Sequence, residues 1–376
     1  MGIKKQASYK DYWSSNEQLR DPYISSIMPV NRFSWFLSHL HINDNLLAPK
    51  RNEPNFDKLY KVRPLLDSLS KTFLQHFNPN EHQLVDESMI LFKGRSTLKQ
   101  YMPMKPVKRG YKVWIRADQT GYVCQFEVYT GKTDSTETSL GKRIVLNLTK
   151  NIYGHFHKIF FDNFFTSFDL MEELLQNKVY ACGTVRANRK NLPKNQILDK
   201  NMQKGESEGR VSSTGVSWIK WRDNRTIQFL SNYHNPDHIT TCNRKAKDGS
   251  KIVINCPQAV KDYNQHMGYV DKADMLKSCY QISRKSRKWW HRIFFHFVDV
   301  EVKKTPPKPI NMFKSKIPIE KRYSNAGHMP SICTSRRCHH CSTKENPRRT
   351  RWECSSCGVG LCMTPHKNCF KAFHAK

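Results

Sequence analysis

Half of the chain's twelve cysteines lie in its last forty residues, and this cluster limits the fold more than any other feature. Cys338 with Cys341, and Cys354 with Cys357, form two C-x2-C knuckles, each able to present two thiolates to one zinc ion. So short a segment buries little apolar core, so a bound metal has to supply its folding free energy. A disulfide cluster is the alternative, but it requires an oxidising compartment, and the N-terminus lacks an apolar secretory signal. The pattern therefore predicts a zinc module.

Eight donors in this segment are enough for two closed four-ligand sites. The predicted zinc ligands are Cys338, Cys341, Cys354, Cys357, Cys362, His366, Cys369 and His374. We expect two zinc ions in an interleaved cross-brace, with Cys338, Cys341, Cys362 and His366 around one ion and Cys354, Cys357, Cys369 and His374 around the other. His339 or His340 can replace His366 in this scheme. Such a module can bind DNA, bind protein or recruit a ubiquitin-conjugating enzyme.

The charge balance points to a polyanionic partner. The chain has 376 residues with 63 Lys and Arg against 32 Asp and Glu, a formal net charge of +31. Self-repulsion makes such an excess unfavourable for a globular protein, and nucleic acid, which releases counterions when basic side chains bind its phosphates, is the expected partner. An anionic membrane is the alternative, but neither a basic amphipathic anchor nor a lipidation signal is present.

Basic residues concentrate near the cysteine-rich segment. The residues predicted to contact DNA are Arg284, Lys285, Arg287, Lys288, Arg348, Arg349 and Arg351. The chain has no apolar run of about 18 residues that could span a membrane. We expect an intracellular, soluble protein.

Hydrophobic periodicity predicts a mixed α/β protein. Residues 1 to about 82 show helical spacing, as in NRFSWFLSHLHI and KVRPLLDSLSKTFLQHF. Strands follow in QLVDESMILFKG, in a hairpin over YKVWIRADQTGYVCQFEVYTG, in HKIFFDNFF and in KVYACGTV, with a helix in SFDLMEELLQNK. Two further strands are predicted in VSWIKWRDNRTIQFLSNYH, and one long helix from Gly268 to Val300.

Three acidic positions fit a single mechanism. Asp86 lies within an apolar strand, Asp162 ends a short one, and Asp271 begins the long helix with Asp274 one turn later. Carboxylates that converge from separate elements can hold two Mg²⁺ ions for phosphoryl transfer. Each aspartate taken alone also fits a structural role: an edge-strand charge, a turn residue or a helix N-cap. Spacing by itself does not identify a catalytic trio.

Specific strings resemble the piggyBac family of transposases and proteins derived from them. DESMILFKGR with MPMKPVKRGYKVW resembles the first catalytic block, FFDNFFTS the second, and MGYVDKADML with SRKSRKWWHRIFFHFVDV the third. DYWSSNEQLRDPYISSIM and RFSWFLSHLHINDN are similar to the helical region before the core, and the cysteine-rich segment to the domain that binds DNA ends. The similarity covers nearly the whole chain in order.

The resemblance implies an RNase H-like core interrupted by a β-rich insertion, dimerisation, action in the nucleus, and double-stranded DNA as partner, with terminal inverted repeats and TTAA targets. Asp86, Asp162 and Asp271 would hold two Mg²⁺ ions, with Asp274 supporting, for DDE/D strand cleavage and transfer. The expected organisation is a helical dimerisation and DNA-binding region (1–82), the core (83–188 and 259–275) with its insertion (189–258), a basic helix and linker (276–332), and the zinc domain (333–376).

Two departures from the family pattern favour an alternative to an active transposase. The long acidic segment that usually precedes the helical region is missing, and EVKKTPPKPIN replaces the helical continuation expected after HFVDV. The alternative is a DNA-binding protein derived from a transposase that no longer cuts DNA. A ubiquitin ligase built on the zinc module is a third class, which predicts autoubiquitination and no salt-sensitive DNA affinity.

Overall fold

The computed structural model describes residues 4–131, 139–245, 249–279, 281–282, 286, 288–301, 328–364 and 367–374. The chain divides into two compact units, Met1–Lys304 and Thr305–Lys376. A mixed sheet with helices packed on it forms the centre of the first unit, an α/β arrangement as the periodicity predicts, and the described residues of the second unit form short strands and a helix. Within the described part of the chain, no helix has the length and apolar character needed to cross a membrane.

The N-terminal region is helical, as predicted. Its helices are α1 (Pro22–Ile27), α2 (Val30–His39) and α3 (Arg63–Gln75), with short 3-10 turns at Tyr9–Trp13, Asn45–Leu47 and Tyr60–Val62. Asp21 caps α1, since its side chain accepts a hydrogen bond from the backbone N–H of Ile24 at 3.1 Å. α3 is amphipathic and buries Leu66, Leu69 and Phe73 against the sheet.

In the described part of the chain, the main sheet has nine strands. They are β1 (His82–Leu91), β2 (Gln100–Tyr101), β3 (Arg109–Asp118), β4 (Val123–Val128), β5 (Lys158–Phe161), β6 (Tyr180–Val185), β7 (Ser207–Val211), β8 (Ser217–Arg222) and β9 (Thr226–Ser231). Their order is β2-β3-β1-β5-β6-β9-β8-β7, with β4 also paired to β3. β1, β5 and β6 run parallel to one another, and the other pairs are antiparallel.

Alternation along β1 separates two hydrophobic cores. Leu84 belongs to a cluster on the face covered by α3, α7 (Tyr269–Ser278) and α8 (Trp289–Glu301). Val85 belongs to a second cluster on the opposite face, covered by α4 (Leu140–Thr149) and α5 (Phe168–Gln176). Because side chains alternate along a strand, Asp86 follows Leu84 and points to the face that carries α7.

The predicted insertion shares the main sheet. β9 pairs with β6, and β7 and β8 extend the sheet beyond it, so these strands do not form a separate sheet. β10 (Ile239–Lys245) and β11 (Lys251–Pro257) pair with each other in a separate two-stranded sheet. α6 (Gln258–His266) then leads into α7.

The prediction of a single long helix from Gly268 is wrong. The structure has two helices there, α7 and α8, with Gln281 and Ile282 outside any helix. The backbone N–H of Ile282 donates to both carboxylate oxygens of Asp299 at 3.1 Å, in place of a carbonyl one turn earlier. Ser286 accepts from the backbone N–H of Lys288 at 3.2 Å, a contact typical of a helix start.

The described residues of the second unit form the strands β12 (Pro330–Arg337), β13 (Arg349–Cys354), β14 (Met363–Thr364) and β15 (Lys367–Asn368) and the helix α9 (Cys369–His374). Its hydrophobic core is small. Cys354, Val359, Leu361 and Phe373 are its buried members, with Cys357 and Phe370 packed against them. A core of this size is insufficient for independent folding of such a segment.

Candidate functional site

The sheet register brings two of the predicted aspartates together. β1 and β5 are parallel, and their last matched pair is Val85 with Phe161. Asp86 directly follows Val85, and Asp162 directly follows Phe161. The two aspartates therefore lie side by side, where neighbouring strands are about 4.8 Å apart. Phe160 packs in the same cluster as Leu84, so both aspartates follow the alternation to the face that carries α7. Two aspartates that were selected from distant parts of the sequence thus lie next to each other.

Helix α7 carries the other two predicted residues to this face, where it packs against β1 and β3. Asp274 accepts a hydrogen bond from Ser88 Oγ of β1 at 2.7 Å, and it forms an ion pair with Lys277 Nζ at 2.5 Å. Asp271, in the first turn, is exposed, and its charge acts on the nearby Lys105. Asp274 therefore fixes the helix to the strand, and Asp271 lies at the open side of the site.

Burial changes the acidity of the strand aspartates. Removal from water raises the pKa of Asp86 to about 7, although the ammonium of Lys105 opposes this effect. Burial also raises the pKa of Asp162, while the backbone N–H of Phe164, which donates to its carboxylate at 2.9 Å, lowers it. A bound cation would favour the ionised form of both groups, and oxygen donors of this kind suit Mg²⁺.

Three charged neighbours escaped the sequence analysis. Glu87, largely buried beside Asp86, forms ion pairs with Lys105 at 3.2 Å and Lys112 at 3.8 Å. Lys105 Nζ also lies 4.0 Å from Asp86 Oδ2. The signal was present, because Glu87 follows Asp86 directly and both lysines fall in the string MPMKPVKRGYKVW. What was missing was the pairing of β1 with β3, which brings these segments together.

The C-terminal unit gathers two groups that could each hold a metal ion. The first group is Cys338, Cys341, Cys362 and Cys369, and the second is His328, Cys354, Cys357 and His374. Within each group the ligand atoms all lie within 4.8 Å of one another. Along the chain the two groups interleave, as the sequence predicts. In the described part of the chain, the aspartates of the first unit do not form a group this close.

The spacing of the donors matches a tetrahedral zinc site. Ligand bonds of about 2.3 Å to sulfur and about 2.1 Å to nitrogen give tetrahedral edges of about 3.8 Å for S–S and about 3.6 Å for S–N. Cys341 Sγ lies 3.9 Å from Cys362 Sγ, and Cys357 Sγ lies 3.5 Å from His374 Nε2. His328 Nδ1 lies 3.2 Å from Cys354 Sγ and 3.4 Å from Cys357 Sγ.

Backbone hydrogen bonds prepare the thiols for a metal. The N–H of Cys357 donates to Cys354 Sγ and the N–H of Cys362 donates to Cys338 Sγ, both at 3.4 Å. Burial would raise the pKa of the Cys338 thiol, but backbone N–H groups, those of Cys341 and Cys362 first, lower it to about 7. Since the thiolate is the form that binds metal, these contacts favour binding near neutral pH.

The predicted division of ligands is wrong at Cys369. It was expected beside Cys354, but its N–H donates to the carbonyl of Cys362 at 2.8 Å, and this contact holds it with the first group. Cys369 and His374 begin and end α9. Five residues on a helix turn through about 500°, so the two side chains point about 140° apart and serve different sites. His328, which the sequence analysis missed, completes the second group, and His366 lies outside the described residues.

The structure describes four of the seven residues predicted to contact DNA. Arg284, Lys285 and Arg287 lie outside the described residues. Lys288 Nζ donates to the carbonyl of Ser38 in α2 at 2.6 Å. Arg348, Arg349 and Arg351 are exposed at the start of β13, where the guanidinium of Arg349 also donates to the carbonyl of Ser335 at 2.7 Å.

A basic cavity adjoins the Asp162 segment. It has a volume of about 700 Å³, and Lys142, Arg186, Arg189 and Lys190 line it together with one acidic residue, Asp169. The N-termini of α4 and α5 open into it through their capping residues, Ser139 and Ser167. Helix N-termini and basic side chains both favour anions.

Hydrogen bonds connect this cavity to the residues that follow Asp162. Arg186 Nε donates to Asn163 Oδ1 at 2.9 Å. Arg189 donates to the carbonyls of Asn163 at 3.1 Å and Phe164 at 2.9 Å. The anion-favouring surface is thus next to the carboxylate site within the same unit.

The chain is similar to transposases and to proteins derived from them. A profile of the family described as Transposase IS4 matches residues 1–302. The human PiggyBac transposable element-derived protein 3 is 28% identical over 97% of this chain and 66% of its own length. The human PiggyBac transposable element-derived protein 2 is 28% identical over 77% of the chain and 50% of its own length.

One solved structure shows the same architecture. It is the piggyBac transposase synaptic complex with hairpin DNA, determined by cryo-electron microscopy, with a TM-score of 0.67 and 26% identity over 80% of this chain and 61% of that one. The chain therefore spans between half and two thirds of the length of these human relatives and of that transposase.

Proposed function

Because the chain belongs to the piggyBac family of transposases and transposase-derived proteins, we propose that it cleaves and transfers DNA strands at transposon ends by metal-dependent phosphoryl transfer. The observation that carries the proposal is the placement of Asp86 beside Asp162 on the sheet face covered by α7. Strand order supports an RNase H-like core, in which β4, β3 and β1 form an antiparallel set that continues into parallel β5 and β6.

The residues of the carboxylate site have different proposed roles. Asp86, Asp162 and Asp271 would hold two Mg²⁺ ions, which when bound would activate the attacking oxygen and stabilise the leaving one. Asp274 holds α7 in register with β1 through Ser88, and so keeps Asp271 near the strand aspartates. Glu87 restrains the two lysines that flank the site. Burial of Asp86 keeps bulk water from its carboxylate.

We expect Asp162→Ala to abolish divalent-dependent nicking of DNA that carries the cognate ends, with a loss of at least about a thousandfold. The assay follows single-strand breaks with Mg²⁺ or Mn²⁺. Asp237→Ala is the matched control, since Asp237 is an exposed aspartate between β9 and β10 that does not line the basic cavity, and it should keep nearly full activity. Equal activity of the wild type and Asp162→Ala would refute the catalytic proposal. DNA binding without nicking would favour the derived, non-cutting protein.

The basic cavity beside Asn163 supports double-stranded DNA as the partner, since its residues offer phosphates two helix N-termini and four cationic side chains. The related transposase was solved with hairpin DNA. By family membership we extend the proposal to terminal inverted repeats as the ends recognised, TTAA as the target and the nucleus as the place of action. Excision and integration assays with TTAA-flanked donors, and fluorescence imaging, test these points.

The double variant Arg186→Ala, Lys190→Ala is expected to weaken binding to all DNA sequences alike. Loss of two phosphate contacts should make the slope of log affinity against log salt shallower by roughly 2, because each neutralised phosphate contributes about 0.9. Fluorescence anisotropy across a salt series measures the slope. Arg225→Ala, an exposed arginine in the β8–β9 turn that does not line the cavity, is the control. An unchanged slope in the double variant would remove the cavity from the DNA interface.

A homodimer is part of the proposal. Large apolar side chains are exposed on and beside the first two helices, namely Tyr23, Ile27, Trp35, Phe36, Leu46 and Leu47. A cluster of exposed apolar residues of this size is typical of an interaction surface. Light scattering of the full chain, free and with DNA ends, gives the oligomeric state, and a monomer under both conditions would contradict the dimer.

For the C-terminal unit we propose two zinc ions in a cross-brace that holds Arg348, Arg349 and Arg351 for DNA. The interleaved ligand groups and their tetrahedral spacing support the two ions. The three arginines lie at the start of β13, which runs from Arg349 to the zinc-ligand candidate Cys354. Metal binding therefore orders the strand that presents the basic side chains.

A further inference from the structure

Lys105 lies between two acidic side chains of the carboxylate site. It belongs to the loop that connects β2 to β3, with prolines at positions 103 and 106. Its ammonium is 3.2 Å from Glu87 Oε1 and 4.0 Å from Asp86 Oδ2, and it also donates to the backbone carbonyl of Glu87 at 3.3 Å. All three of these acceptor atoms belong to one short piece of β1.

The site needs a cation even before any metal binds. Asp86 and Glu87 are adjacent, largely buried carboxylates, and Asp162 adds a third negative group beside them. The ammonium of Lys105 lies close to the carboxylates of Asp86 and Glu87, and their negative charges favour its protonated form. The lysine supplies the positive charge that these carboxylates require.

A second lysine nearby has a different environment. Lys112 Nζ lies 3.8 Å from Glu87 Oε2, but its other close contact is the ring of Trp114, 3.7 Å away at the centroid. The ring of Phe164 lies 5.1 Å from it. Lys112 is therefore held by Glu87 and by aromatic rings, whereas Lys105 is the lysine of this pair that approaches Asp86.

We propose that Lys105 is a positioning residue that acts as an internal counterion: its ammonium occupies the place of a divalent cation beside Asp86 and has to move away before that cation binds. The inference rests on the proposed function. Its consequence is that Lys105 sets the affinity of the site for metal, because cation binding is coupled to breaking the contact with Asp86. The four-carbon stem and the surface loop allow this movement.

Titration calorimetry of Mn²⁺ into the DNA-free, zinc-loaded full chain tests the inference. Lys105→Met is expected to bind Mn²⁺ at least about tenfold more tightly than the wild type, because a competing positive charge about 4 Å from the ligand oxygen is gone. Lys112→Met, which removes an equal charge from the same network, should change the affinity by less than about threefold. A purely structural role for Lys105 predicts weaker binding instead.

Further variants keep the outcomes distinct. Lys105→Gln keeps a hydrogen-bond donor with less disturbance of the fold and should show the same tightening, and Lys105→Arg should resemble the wild type. Asp162→Asn identifies the heat that belongs to this site. If Asp162-dependent binding is present but neither neutral Lys105 variant binds more tightly than Lys112→Met, the counterion inference is overturned while the proposed function stands. If no Asp162-dependent binding is seen in the wild type, both are overturned.

Discussion

A Cys354→Ser variant is expected to retain one zinc ion in place of two and to lose the fold of the C-terminal unit. The described core of this unit has four buried members, one of which is Cys354 itself, so the metal supplies most of its stability. Structural zinc contributes about 10–16 kcal/mol of apparent binding free energy in zinc-finger peptides near neutral pH. Native mass spectrometry gives the stoichiometry, and limited proteolysis reports the loss of structure.

Cys333→Ser is the matched control, because Cys333 lies in β12 of the same unit but in neither ligand group. It should keep both zinc ions and the protease resistance of the wild type. A wild-type stoichiometry of zero or one, or two zinc ions retained in Cys354→Ser, would contradict the two-site assignment.

Two histidines distinguish the ligand groups seen in the structure from those assigned by sequence spacing. The structure places His328 within 3.4 Å of the thiols of Cys354 and Cys357, whereas the sequence pattern favoured His366 as a ligand of the first site. His328→Ala is therefore expected to lower zinc occupancy at the second site, and His366→Ala to leave two zinc ions in place. The reverse result would restore the assignment made from spacing.

Local patterns predicted the zinc knuckles and most strands because their cause is local. Alternation of apolar residues specifies β1, and a C-x2-C spacing specifies two adjacent tetrahedral corners wherever the chain goes next. The fourth ligands depend on contacts that no spacing shows. The hydrogen bond from the N–H of Cys369 to the carbonyl of Cys362 determines which site Cys369 joins. The other fourth ligand, His328, lies ten positions before the first knuckle.

The carboxylate site shows the same division between local and long-range information. Asp86 and Asp162 were each identified as candidates from a strand and its end, but only the parallel pairing of β1 with β5 makes them neighbours. Glu87 and Lys105 lie in the strings that contain or follow the first aspartate, but they acquire their roles only when β3 pairs with β1 and brings these strings together. The break before α8 likewise depends on Asp299, which is 17 residues from Ile282.

Asp86→Asn is expected to abolish nicking and, at the same time, to stabilise the metal-free protein. Burial raises the pKa of Asp86 from 3.8 to about 7, so the folded protein holds the proton more tightly than the unfolded chain. The ionised carboxylate is therefore a cost to folding that is absent below about pH 4, grows as the pH rises, and is complete above about pH 7. That cost is at most roughly 4 kcal/mol, at about 1.4 kcal/mol per tenfold change in proton affinity.

Thermal unfolding in the presence of a chelator weaker than the zinc sites, at pH 5 and pH 8, measures this effect for the first unit. The Asn variant should melt several degrees above the wild type at pH 8, with a smaller difference at pH 5. Added Mg²⁺ should raise the Tm of the wild type alone, because the variant lacks a ligand. Asp274→Asn is the control and should lower the Tm, since Asp274 loses its ion pair with Lys277. A wild type more stable than Asp86→Asn at pH 8 without Mg²⁺ would show that this carboxylate serves the fold, because a residue retained for metal binding alone destabilises the protein until the metal arrives.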